Sequence, residues 1–191
     1  MAIPPVVSPQ AVRMAIACGL VAVATLARLL PHPPNCTPLG ALALFGGAVF
    51  GTRAAAYAVP LAAMLLSDLL LQACRGDALH AGMPVVYGCF AATVWLGRRL
   101  GPRAEASALA AASAAAVLLF FVATNQAWWA AGQGYPRDGQ GLLACFTAAL
   151  PFLGWSALAQ GGFGLLLFGG QRWLERQFAV VPGSLAAAEG S

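Results

Sequence analysis

The chain has 191 residues, 60% hydrophobic and only 8% charged, a balance that excludes an ordinary soluble domain, whose surface needs far more charge. All ten cations are arginine, and apart from Arg98 and Arg99 they stand singly, so the formal charge of +4 builds no basic stripe for a nucleic acid. The apolar residues lie in long blocks that are apolar all round, and such helices belong in lipid. Period-two alternation is missing, which excludes a β-barrel.

Residues 1–10 are polar and broken by prolines and are expected to form an N-terminal cytoplasmic tail. The first apolar run, 11–30, is too long for the core of a cleavable signal and is expected to stay as a helix. Further runs follow at 38–51, 55–72, 83–100, 104–124 and 142–171, bounded by Arg, Pro and Gly. They predict an all-α integral membrane protein with six transmembrane helices in a single domain, 11–176. The second run is short for a span. The last contains Pro151 and Gly154, which favour a kink or a re-entrant start.

On a six-helix path Arg13, Arg53, Arg98, Arg99, Arg103, Arg172 and Arg176 fall on one side, and Arg28, Arg75 and Arg137 on the other. Cytoplasmic connections carry the excess of Arg, so both termini, including a tail at 177–191, are expected in the cytoplasm. The expected location is the bacterial inner membrane, spanned several times. The connections 32–38, 73–82 and 125–141 then share the outer face. They hold most of the chemistry, and an outward-opening site follows. The chain has no nucleotide-binding loop, so any step driven by ATP requires a partner chain.

Asp68, in SDLLLQ, is an acid well inside an apolar run, either a functional group or a structural partner for Arg28 or the Tyr87 hydroxyl. The stretch ACRGDALHAGMPVVYG sets Cys74 beside Arg75, with Asp77, His80 and Tyr87 behind. A thiolate is a soft ligand for a transition metal, and a guanidinium favours its ionised form. The spacing from Cys74 to His80 matches no zinc pattern. Cys18, Cys89 and Cys145 lie in apolar runs as packing residues, whereas Cys36 and Cys74 share the outer face, where a disulfide between them rivals a ligand role. TNQAWWAAGQGYPRDGQG supplies Asn125, Gln126, Trp128, Trp129, Gln133, Tyr135 and Gln140. Its rings and amides suit a large flat ligand, or else the tryptophans form an interfacial belt. His32, in LLPHPPN, either faces the same cavity or is an exposed histidine at a helix end. Ala11, Ala15 and Gly19 clear one face of the first helix for close approach by another helix.

The strings RLLPHPPNCTPLGALALFGGAVF from Arg28, PLAAMLLSDLLL from Pro60, TNQAWW from Thr124 and GYPRDGQGLLACFTAALPF from Gly134 resemble the S components of energy-coupling factor transporters. Within that family the chain looks most like the cobalamin-specific, BtuM-like solitary S components. The resemblance implies a six-helix bundle whose outer loops close over a vitamin, and a first-helix face presented to a membrane coupling subunit and its ATPases. It also implies cobalamin as transported ligand, with Cys74 as axial ligand to cobalt and as the group linked to loss of cyanide from cyanocobalamin. Two features depart from the family pattern: Cys36 stands where an aromatic is usual, and FLGWSALAQGGF after Pro151 replaces a more polar segment with an acid.

The expectation is therefore a cobalamin-binding subunit for vitamin uptake. Asp68, Arg75, His80, Tyr87, His32, Asn125, Trp128 and Tyr135 frame the ligand, and Cys74 contacts cobalt. The alternatives are a transporter of the same architecture for another vitamin or a metal chelate, or a membrane enzyme using Cys74, His80 and Asp68.

Overall fold

The computed structural model describes residues 19–20, 22–76, 79–132 and 134–177, the side chains of 174–177 excepted. The tail at 1–10, the first turns of the first helix with Ala11, Arg13, Ala15 and Cys18, and Asp77, Gln133 and residues 178–191 lie outside them. So does the Arg176 side chain. The described residues are all helical or loop. Helical residues at 19–20 and 22–29 form α1, followed by α2 (Leu39–Val49), α3 (Arg53–Arg75), α4 (Met83–Leu100), α5 (Ala106–Ala130) and α6 (Gly139–Gln177).

Three of these, α3, α5 and the stretch Gly139–Trp173 of α6, are long and apolar enough to cross a membrane. Their outward faces carry exposed Leu65, Leu69, Leu118, Leu143, Leu158 and Leu165, an apolar surface that water would not tolerate. The protein is a membrane protein.

The second run behaves differently from its neighbours. Nine of the eleven residues of α2 are buried, and at ~1.5 Å per residue it reaches about half the ~30 Å hydrocarbon thickness. It is a helix enclosed by protein on every side, packing on α3, α4, α5 and α6. Its composition, LGALALFGGAV, is apolar all round because no face meets anything but other helices.

Glycines set how closely α2 and α4 meet. A Cβ on Gly47 would stand 2.1 Å from the Val94 carbonyl oxygen, and one on Gly97 would stand 2.1 Å from that of Leu44. Each glycine thus lets the other helix's backbone into its place, the small-residue packing that membrane helices use where no hydrophobic force drives them together. Edge-to-face rings extend the contacts: Phe45 on Phe168 at 5.2 Å, Phe90 on Phe120 at 6.0 Å and Phe121 on Phe146 at 5.5 Å.

Local signals account for the helix ends. Thr52 caps α3 by accepting the Ala55 N–H at 3.2 Å, and α3 stops at Gly76, whose φ of 78° suits a residue without Cβ. Pro84 sits in the first turn of α4, where a missing N–H costs nothing. Asp138 accepts the Gly141 N–H at 2.8 Å at the start of α6.

One expected boundary moves. TNQAWW belongs to α5, not to the connection after it. Thr124 and Asn125 bond back to the carbonyls of Phe120 and Phe121, both at 2.7 Å, so these polar side chains are satisfied by their own helix and do not break it. The connection is shorter by two turns. α6 runs without interruption through Pro151.

Gly97→Ala is expected to lower the thermal unfolding temperature sharply or to abolish monodisperse protein in detergent, because a methyl against backbone costs at least the ~1–3 kcal/mol of overpacking. Gly88→Ala on the same helix, with nothing within 4 Å of its Cβ, should be neutral or slightly stabilising.

Candidate functional site

The ends of α1 and α3 meet the start of α4 around one acid. Asp68 is 2% exposed. Its Oδ1 takes an ion pair from Arg28, and its Oδ2 accepts the Tyr87 hydroxyl at 2.8 Å. Arg28 also donates to Ser67 Oγ at 2.6 Å, and Ser67 passes its own proton to the Met64 carbonyl at 2.8 Å. The chain of bonds is closed at every member, which is the condition for holding charge in an apolar bundle. Both partners considered for Asp68 from sequence hold it at once. It is the knot that ties three helices.

Beside this knot lies a cavity of about 340 Å³. At the loop end its wall includes Arg28, His32, Asn35, Arg75 and His80; at the far end it includes Phe90, Thr93, Val117, Phe120, Ser156 and Gln160. The mouth is therefore cationic and polar, and the depth is aromatic with isolated polar groups.

The two histidines present different faces. His32 Nδ1 lies 2.6 Å from the Leu30 carbonyl oxygen, which can only accept, so the neutral ring keeps its lone pair on Nε2. Backbone anchoring of this kind orients a ligating imidazole. His80 Nδ1 instead accepts the Gly82 N–H at 3.1 Å, so its neutral ring carries the proton on Nε2 and is a donor.

Of the residues singled out from sequence, His32, Arg75 and His80 are on the wall and Asp68 and Tyr87 stand behind it through Arg28. Cys74 is exposed in the last turn of α3, next to Arg75 but off the wall, and Cys36 and Cys74 are both free thiols. Asn125, Trp128 and Tyr135 are elsewhere. Asn125 is held by its own helix, Trp128 is 51% exposed, and neighbouring Trp129 donates to the Pro136 carbonyl at 2.9 Å. Among the described residues no hydrogen bond joins Cys74 to His80 or Asp68, and no three His, Cys, Asp or Glu residues gather into a metal cluster. Asn35, Thr37, Thr93, Ser156 and Gln160 are wall residues that sequence reasoning did not single out. The one available signal was a lone amide, Gln160, inside the apolar run after Pro151.

With this geometry in view, the comparison with known families is informative. The chain belongs to the family of unknown function DUF6580. That family's model matches residues 8–183, which takes in every helix and both ends of the cavity. No curated protein and no solved structure matches the chain.

Asp68→Ala, which strands Arg28 in the bundle, is expected to destabilise by about 3–5 kcal/mol, and Tyr87→Phe by about 1–2 kcal/mol. The double replacement Arg28→Met with Asp68→Leu should recover much of the loss. Chemical or thermal unfolding in one detergent checks all three, and strict additivity of the Arg28 and Asp68 effects would contradict the coupling.

Proposed function

We propose that this DUF6580 chain is the solute-binding subunit of a vitamin uptake system of the S-component kind, a six-helix membrane bundle in which α2 is too short to span, with both termini in the cytoplasm of a bacterial cell. The observation that carries the reading is the cavity: a pocket inside an apolar helical bundle, its mouth lined by Arg28, His32, Arg75 and His80. Bundles that bind small molecules place a few polar groups in a mostly apolar pocket in this way. The arginine-rich helix ends, Arg98, Arg99 and Arg103, belong to the opposite end of α4, where Arg172 of α6 also donates to the Ala104 carbonyl at 2.5 Å. The cavity mouth is thus the arginine-poor, outer end. Energy for release would come from a coupling module with ATPases.

Cobalamin is the ligand we propose. A volume of about 340 Å³ is at the small end for ligand sites, so it takes one part of a corrinoid while the macrocycle lies across the mouth. Cys74, next to Arg75 in sequence, is exposed at the same end of α3. Decyanation is then a ligand substitution: the sulfur lone pair forms the bond to cobalt, cyanide leaves with its own pair, and the oxidation state of the metal is unchanged. One cyanide is released per protein, without turnover. A second reading has a specific observation in its favour. Cys74 is off the cavity wall, as expected if a smaller vitamin fits wholly inside and the thiol plays no part.

Visible absorption of the purified chain with added cyanocobalamin separates these readings. The cobalamin reading expects a shifted spectrum and stoichiometric cyanide release, both lost in Cys74→Ser. An unchanged spectrum in Cys74→Ser together with a changed one in His32→Ala would move the cobalt ligand to the imidazole. No spectral change with wild type would remove cobalamin.

A further inference from the structure

One buried polar group on the cavity wall, Gln160, has no role in the reading above. It lies in the middle of α6 and is 5% exposed, and among the described residues its Nε2 has no hydrogen-bond partner. Buried amides are almost always paired, and an unpaired one lowers stability.

The direction of the amide follows from its neighbour. A Cβ on Gly40, at the start of α2, would stand 2.4 Å from Gln160 Oε1, so the hydrogen that Gly40 carries in place of Cβ points at that oxygen. This is a weak C–H···O contact, and the opposite assignment would press two N–H groups against a C–H. The oxygen therefore faces α2, and the Nε2 protons are left unpaired among the described residues, on a side chain that lines the cavity. Nearby Thr93 has already given its hydroxyl proton to the Cys89 carbonyl at 2.9 Å.

We propose that Gln160 is a specificity-determining residue of the cavity, donating its Nε2 protons to an uncharged acceptor, a carboxamide, lactam or heterocyclic carbonyl, on the bound molecule. The acceptor is neutral because, among the described residues, no cation is on the cavity wall at this end. The cavity wall at this end carries Phe90, Ala116, Val117 and Phe120, among which a carboxylate would be stranded. Cationic Arg28 and Arg75 belong to the loop end, and Arg28 is already compensated by Asp68. The carboxamide arms of a corrinoid are of the required class. The inference rests on the cavity being the ligand site, and not on the ligand being cobalamin.

Two variants of the full chain in lipid nanodiscs test it, each with and without probe. Gln160→Leu removes the donor at nearly constant volume. Gly40→Ala keeps the donor but displaces the amide, at little cost to the fold because the methyl meets only a side-chain tip. Without probe, Gln160→Leu should unfold at the same temperature as wild type or higher, since an unsatisfied group is lost; a drop of more than about 3 °C would make the amide part of the fold and overturn the proposal. With cyanocobalamin as probe, both variants should bind about ten- to a hundredfold more weakly than wild type. Unchanged affinity in Gln160→Leu overturns the proposal. Should wild type bind no cyanocobalamin, only the cobalamin reading falls, and riboflavin and nicotinamide, both neutral carbonyl-bearing heterocycles, replace it as probes with the same expected losses. A wild-type chain that binds none of the three overturns the assignment of Gln160.

Discussion

Two helices exchange backbone contacts where Gly47 and Gly97 each occupy the space a side chain would take from the other, and this crossing is what allows an eleven-residue helix to sit inside the bundle. Lipid gives helices no hydrophobic reason to associate, so van der Waals contact over closely approaching backbones has to supply it. With α2 seated against α4, the remaining helices have a surface to pack on, and α2 touches α3, α5 and α6 as well. Because α2 is short, it fills only part of the depth of the bundle. The unfilled part, above its first residues, is where the cavity lies, with Gly40 of α2 on its wall. The constraint that closes the core therefore also leaves room for a ligand.

The Arg28, Ser67, Asp68 and Tyr87 network does complementary work at the loop end. A carboxylate at this depth is tolerable only when every lone pair has a partner, and three helices contribute to satisfying it. The same bonds hold α1, α3 and α4 in register and keep Arg28 on the cavity wall. Polarity is thereby graded along the pocket, from compensated charge at the mouth to a single amide in an aromatic surround. A molecule with an uncharged acceptor at one end and a bulkier polar body at the other fits that gradient.

Much of this was legible in the sequence, and the exceptions have physical causes. The six helices follow from apolar runs separated by Arg, Pro and Gly, and the second run already stood out as short for a span, although the six expected spans include it. Asp68 stood out because an acid within SDLLLQ needs partners, and Arg28 and Tyr87 could be named as those partners. The end of α5 was misplaced because Thr124 and Asn125 look like loop residues until their bonds to Phe120 and Phe121 are seen. The deep wall was harder to read. Thr93, Ser156 and Gln160 are single polar residues on three turns of two different helices, and only the packing of α2 against α4 and α6 brings them together. Reactivity of residue type drew attention to Cys74, yet the thiol is exposed in the last turn of α3 and is not on the cavity wall.

The proposed function requires the cavity to open at the outer, arginine-poor end of the membrane bundle. Labelling of intact cells with a membrane-impermeant maleimide tests this directly in a Cys36→Ser background, reading Cys74 at the loop end of α3 against an engineered Arg103→Cys at the other end with Cys74→Ser added. The account predicts that Cys74 labels from outside and that Arg103→Cys labels only after the membrane is permeabilised. The reverse pattern, or equal labelling of both sites in intact cells, would contradict it.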